Sequence, residues 1–166
     1  MYQFVVAVHL LAAITWVGGM VFLALVLVPV TRRLQQPPGF SAQVLSAAAK
    51  RFRIVAWICL ALLVASGIWL LTQRGFGLDK MFESDGRTSQ VLRVKLLLVC
   101  AVLALSALHD FVLGPAVARK LVELRSSGAR DERLARERRT VSWIARLNLL
   151  LALAAIGAGV ALARGI

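Results

Sequence analysis

The stretch that decides the fold is Gln3 to Pro29, QFVVAVHLLAAITWVGGMVFLALVLVP, whose one ionisable side chain is His9. A helix crosses a bilayer core in roughly 20 predominantly apolar residues, so this run is long enough to span. No basic residue precedes it, and it ends at Pro29-Val30-Thr31-Arg32-Arg33 without a small-residue cleavage pattern. It is also too long for the apolar region of a leader peptide, and so reads as a retained span.

Three further runs of the same kind follow, at about 52–72, 91–114 and 141–163, each with boundaries good to a few residues. The chain has 166 residues, is 60% hydrophobic and has a mean hydropathy of +0.79. A soluble domain is nearer half apolar and breaks its apolar runs often. The expected fold class is therefore all-α, an integral membrane four-helix bundle forming a single membrane domain over 1–166. Gly114-Pro115 predicts a break or kink at the end of span three. Gln35-Gln36-Pro37-Pro38-Gly39 and Ser126-Ser127-Gly128 are turn signals, and Ser41 is placed to cap a helix that runs into span two. No sequence repeat is evident.

The net charge of +12 would suggest nucleic acid in a soluble protein. Here the positive residues crowd into two short loops, 30–51 and 115–140, which argues against a nucleic-acid partner. Around the first loop lie Arg32, Arg33, Lys50, Arg51 and Arg53; the third has eight Lys or Arg, including Arg119, Arg133 and Arg136. The second loop dilutes its basic residues with Asp79, Glu83 and Asp85. Lys and Arg mark the cytoplasmic side, so the expected topology is N-out/C-out in a bacterial-type plasma (inner) membrane, with loops one and three cytoplasmic. Cys59 and Cys100 lie within spans and form no CxxC, so they read as small apolar residues.

Ionisable residues inside a bilayer are costly and are functional candidates. They are His9, Lys95, His109, Asp110 and Arg146, with Asn148 as a polar addition. His9 and Lys95 both lie near the outer ends of spans one and three, within roughly 10 Å of the boundary at 1.5 Å per residue, and are expected to face each other. Lys95 and His109 are separated by about 21 Å of helix, so His9 and His109 do not make a bis-histidine pair on one metal. Ser66, Gly67 and Trp69, together with Gly157 and Gly159, fall near the level of His9 and Lys95. Those glycines serve either tight helix packing or space for a flat ligand. At the inner side Asp110 and Arg146 are expected to pair, near His109, Trp143 and Asn148, as a structural anchor or a second site. Met20 and the cysteines are the soft donors a copper path would want, but none is at ligand spacing with another.

The segment His9-Leu-Leu-Ala-Ala-Ile-Thr-Trp16-Val-Gly18-Gly19-Met20 resembles the opening helix of the CopD (copper resistance protein D) and HemJ group of small membrane proteins. Ser66-Gly67-Ile68-Trp69-Leu70 is similar to their second helix, and Val91-Leu-Arg-Val-Lys95-Leu-Leu-Leu-Val to their third. HemJ-like proteins imply haem b and protoporphyrinogen IX oxidation dependent on a His in helix one and a Lys in helix three, which His9 and Lys95 match. CopD-like proteins imply copper uptake or resistance, often in longer chains. This chain departs from both in His109-Asp110-Phe111 and its arginine-rich third loop.

The first reading is a b-type haem oxidoreductase with quinone as its partner in the lipid bilayer. His9 would be an axial ligand, and Lys95 the opposite ligand or a propionate partner. Gly67, Gly157 and Gly159 would give the porphyrin room, and Trp16 or Trp69 would pack against it. The second reading is copper handling, with His9, His109, Met20 and the cysteines as transient ligands. The third is a cofactor-free accessory subunit whose Ala155, Gly159 and Ala163 face meets a partner. A homodimer is compatible with each.

Overall fold

A computed structural model describes residues 1–33, 40–73, 75, 86–117, 119–120 and 132–164. The turns expected at Gln35 to Gly39 and Ser126 to Gly128, and the acidic residues of the second loop, lie outside the described residues. Among those described there is no strand, and four helices are long and apolar enough to cross a membrane. The first runs Tyr2–Phe22, passes through a π-helical turn at Leu23–Leu27 and continues as Val28–Arg33. The second is Phe40–Gln73. The third runs Arg87–Ala107 and passes through a second π turn at Leu108–Leu113. The fourth is Glu132–Arg164. Large apolar side chains such as Phe4, Leu11, Ile14, Leu97 and Leu150 point outward. Water would penalise such a surface, whereas acyl chains solvate it.

The chain divides into two compact units, Met1–Ser84 and Asp85–Ile166, each a helical hairpin. In the first, Tyr2 meets Trp69, His9 meets Ser66, Gly19 lies under Phe52, and Ser41 bonds Thr31, an antiparallel order throughout. Ala12, Trp16 and Val17 of the first helix and Ala56, Cys59 and Leu60 of the second are buried. Lipid removes most of the hydrophobic drive between helices, so close packing of small residues and interhelical hydrogen bonds must hold the pair. Gly19 shows this: a Cβ there would lie 2.1 Å from Phe52 Cε2, so the ring occupies the space a side chain would need. Ser41 corrects the capping expectation. It sits inside a helix that already begins at Phe40, and its hydroxyl donates to the Thr31 carbonyl at 2.6 Å, tying the ends of the two helices.

In the second unit, Lys95 lies against Gly159, Ser106 bonds Asn148, and Lys120 pairs with Glu137, again antiparallel. At Gly114-Pro115, where a break or kink is expected, the helix is not broken but passes through the π turn. A proline ring clashes with the carbonyl four residues back and removes a donor. The π turn absorbs both by adding a residue just before it: the Gly114 N–H bonds His109 O, five residues back, and helix resumes over 114–117. A Cβ at Gly114 would sit 3.0 Å from that same carbonyl, so glycine suits the wide turn. Pro29 is treated identically, with the Val28 N–H bonding Leu23 O.

These parallels extend to residue level and expose a repeat that the sequence read alone conceals. Each hairpin's first helix carries a π turn with a proline two residues beyond it. Aligned on those prolines, Val5, Val8, Leu10, Leu11, Val26 and Leu27 recur as Val91, Val94, Leu96, Leu97, Val112 and Leu113, and His9 falls on Lys95. The returning helices align from their first residues, Phe40 and Glu132, which places Gly67 on Gly159. Burial follows the same register: Ala56 and Leu60 in one hairpin, Asn148 and Ala152 in the other. Internal repeats of this kind are common among membrane transport folds.

Candidate functional site

In the first hairpin the site centres on His9. Its Nδ1 lies 2.7 Å from Ser66 Oγ, and the Ser66 hydroxyl donates onward to the Leu62 carbonyl. A serine has one proton. With that proton given to Leu62 O, Oγ is left to accept from the His9 ring, an arrangement that favours the Nδ1–H tautomer of a neutral imidazole. Histidines that ligate metal commonly have one ring nitrogen held by a neighbour in this way. Ser66 is buried and rigid on its helix, so the ring orientation is set by the hairpin itself.

Around the imidazole, Ala12 and Trp16 are buried on the turns that follow His9, and Trp16 packs inside the chain at 6% exposure. Gly67 lies beside the ring; a Cβ there would make ordinary contact with His9 Cε1 at 3.5 Å. Trp69 stacks obliquely on Tyr2, centroids 6.2 Å apart and planes tilted by 40°, closing the end of the hairpin. Cys59 is buried in the same hairpin and Met20 is half-buried. Among the described residues, no three His, Cys, Asp or Glu side chains form a group that could hold a metal ion.

In the second hairpin Lys95 lies across Gly159, whose Cβ would fall 3.3 Å from Nζ and 3.7 Å from Cε. Gly157 faces outward with nothing within 4 Å of where a Cβ would sit. Gly159 thus gives room to the lysine stem, whereas the space beside Gly67 would admit a Cβ at ordinary contact distance from the histidine.

Near the π turn of that hairpin the charges pair differently from the expected Asp110–Arg146 bridge. Asp110 Oδ1 takes the neighbouring His109 Nδ1 at 2.9 Å. Arg146 instead places its guanidinium 5.0 Å over the ring of Trp143, one turn earlier on its own helix, as a cation over an aromatic face. Both side chains are exposed. The arrangement also contains a bond that residue spacing did not signal, Asn148 Nδ2 to Ser106 Oγ at 3.0 Å. The clue available was that both polar residues lie at one depth in otherwise apolar runs.

No curated protein and no solved structure matches the chain. A family does, over residues 46–162, which takes in the second, third and fourth helices and Ser66, but begins after His9. The chain therefore belongs to the family described as copper resistance protein D, CopD, and is a multi-pass membrane protein of that family.

Proposed function

We propose that this CopD-family protein handles copper within the membrane, with His9 as the residue that takes the ion. The observation that carries the reading is the Ser66–His9 bond, since a buried hydroxyl that holds Nδ1 orients an imidazole whose Nε2 would be the nitrogen to take the ion. The family description supplies the metal. Met20 and Cys59 support it as soft donors on the same hairpin, the ligand type that favours Cu(I). Copper here is cargo: the sparse donor set suits an ion that is taken and passed on better than one locked in a closed cage. With basic loops one and three on the cytoplasmic side, His9 stands near the outer face, the side from which an external ion would enter.

The test is metal content and optical spectrum on protein purified in mild detergent. The expected result is Cu(I) bound by the wild type, lost in His9→Ala at an unchanged melting temperature, with no porphyrin band. A Soret band that sharpens on reduction, and disappears in His9→Ala, would overturn copper in favour of haem b on the same imidazole.

A further inference from the structure

The two hairpins differ most at one level of the repeat. Ser106, His109, Asp110 and Asn148 stand in the second where the first has Met20, Leu23, Ala24 and Ala56. The first hairpin buries Ala56 at that level and closes, so the shared fold does not require polar groups there.

The Ser106–Asn148 bond is also incomplete as a fastening between helices. Both residues are more than nine-tenths buried, at 7% and 8% exposure, yet Asn148 Oδ1 has no hydrogen-bond partner among the described residues. Turning the amide over only exchanges which atom is orphaned, because an amide has two donors and a carbonyl and Ser106 offers one oxygen. In the observed orientation Ser106 accepts from Nδ2 and retains its own proton to give. A buried carbonyl beside a hydroxyl donor fits a water molecule, which needs two or more polar partners. Four residues after Ser106 on the same chain segment, Asp110 Oδ1 lies 2.9 Å from His109 Nδ1, so a carboxylate and an imidazole stand together one turn along.

We propose that this level of the second hairpin is a hydrated proton-accepting site, with a water bound between Asn148 and Ser106 that serves the His109–Asp110 couple. The inference does not rest on the copper reading. Among the described residues, the fourth helix carries Arg136, Glu137, Arg139, Arg146 and Arg164, with Arg146 over Trp143 and Glu137 paired to Lys120. The third helix carries Arg87, Arg93 and Lys95 further along, and Arg119 follows its π turn.

The chain has two histidines, so labelled ring nitrogens give a clean magnetic-resonance readout. In full-length protein in lipid nanodiscs, magnetisation should pass from water to the Asn148 side-chain amide, and the His109 ring N–H should exchange with water. The double substitution S106M/N148A installs the first hairpin's residues. It should fold with a melting temperature equal to or above the wild type, and slow His109 exchange several-fold while leaving His9 unchanged. If the double variant does not fold, Ser106→Ala provides the same readout with minimal volume change. No transfer from water to Asn148 in the wild type, or unchanged His109 exchange in either variant, would overturn the proposal and leave the pair as interhelical fastening alone.

Discussion

Where the first hairpin sets His9 against Ser66 and Gly67, the second sets Lys95 against Gly159, with Ala158 in the serine's place. The glycine is common to both; the hydroxyl is not. A shared frame therefore provides a gap on one helix and a polar side chain opposite it, and the neighbouring residue decides what that side chain does. Imidazole has two inequivalent nitrogens, so one fixed bond determines which carries the lone pair. An ammonium on a flexible four-carbon stem has three rotatable donors and gains no such definition from a single contact. The first hairpin is thus specialised at its His9 level, whereas the second is specialised nearer its π turn, where it alone carries Ser106, His109, Asp110 and Asn148.

Ser66→Ala tests that contrast most severely, because it gives the first hairpin the residue the second already has. His9 would keep its place but lose the bond that holds its Nδ1. Loss of such an outer partner lowers metal affinity by about 10–100-fold, and competition against a copper chelator should show a fall of that size with the fold intact. An unchanged affinity would mean that the Ser66 bond is packing and that the imidazole orients itself.

Gly19→Ala comes next. Here the hairpins solve one packing problem differently: Gly19 under the Phe52 ring in the first, Leu105 and Ile144 at the matching positions of the second. A methyl at Gly19 would meet a rigid aromatic ring, not a yielding chain end. Overpacking of this kind costs about 1–3 kcal/mol. Thermal unfolding in detergent should register the loss, and Gly19→Ala combined with Phe52→Ile, the second hairpin's residue, should recover part of it.

How much of this was readable from residues alone depends on what each residue's role requires. The four apolar runs were legible because the bilayer imposes a length, and each run meets it without help from its neighbours. His9 was legible because an ionisable side chain inside such a run is costly. Its partner was harder: Ser66 back-bonds to Leu62, as a serine in a helix commonly does, and nothing local distinguishes one that also receives a histidine. Gly114-Pro115 announced that the third helix must yield there, but a break and a π turn satisfy the same constraint. Only the backbone shows that Pro29 and Pro115 choose the turn. The repeat was concealed because its shared residues are mainly Val and Leu, which coincide by chance in any two membrane helices. The Asp110–Arg146 expectation assumed that similar depth implies pairing. His109, adjacent in the chain, takes the carboxylate first.

The smallest effect belongs to the feature the hairpins share. A methyl added at Gly67 would sit 3.5 Å from His9 Cε1, ordinary contact, and one at Gly159 would sit 3.3 Å from Lys95 Nζ, the mobile end of a long side chain. The first contact needs no adjustment and the second falls at the far end of a side chain, so neither meets backbone. Against that slight crowding stands the helix preference for alanine over glycine, roughly 0.5–1 kcal/mol. Gly67→Ala and Gly159→Ala should therefore leave the melting temperature level or slightly raised, unlike Gly19→Ala. The pair also separates two reasons for keeping the glycines. If they serve packing alone, copper binding should follow stability and stay unchanged. If Gly67→Ala keeps the fold but weakens binding while Gly159→Ala does not, the space beside His9 belongs to the ligand, and the asymmetry between the hairpins reaches even the residue they have in common.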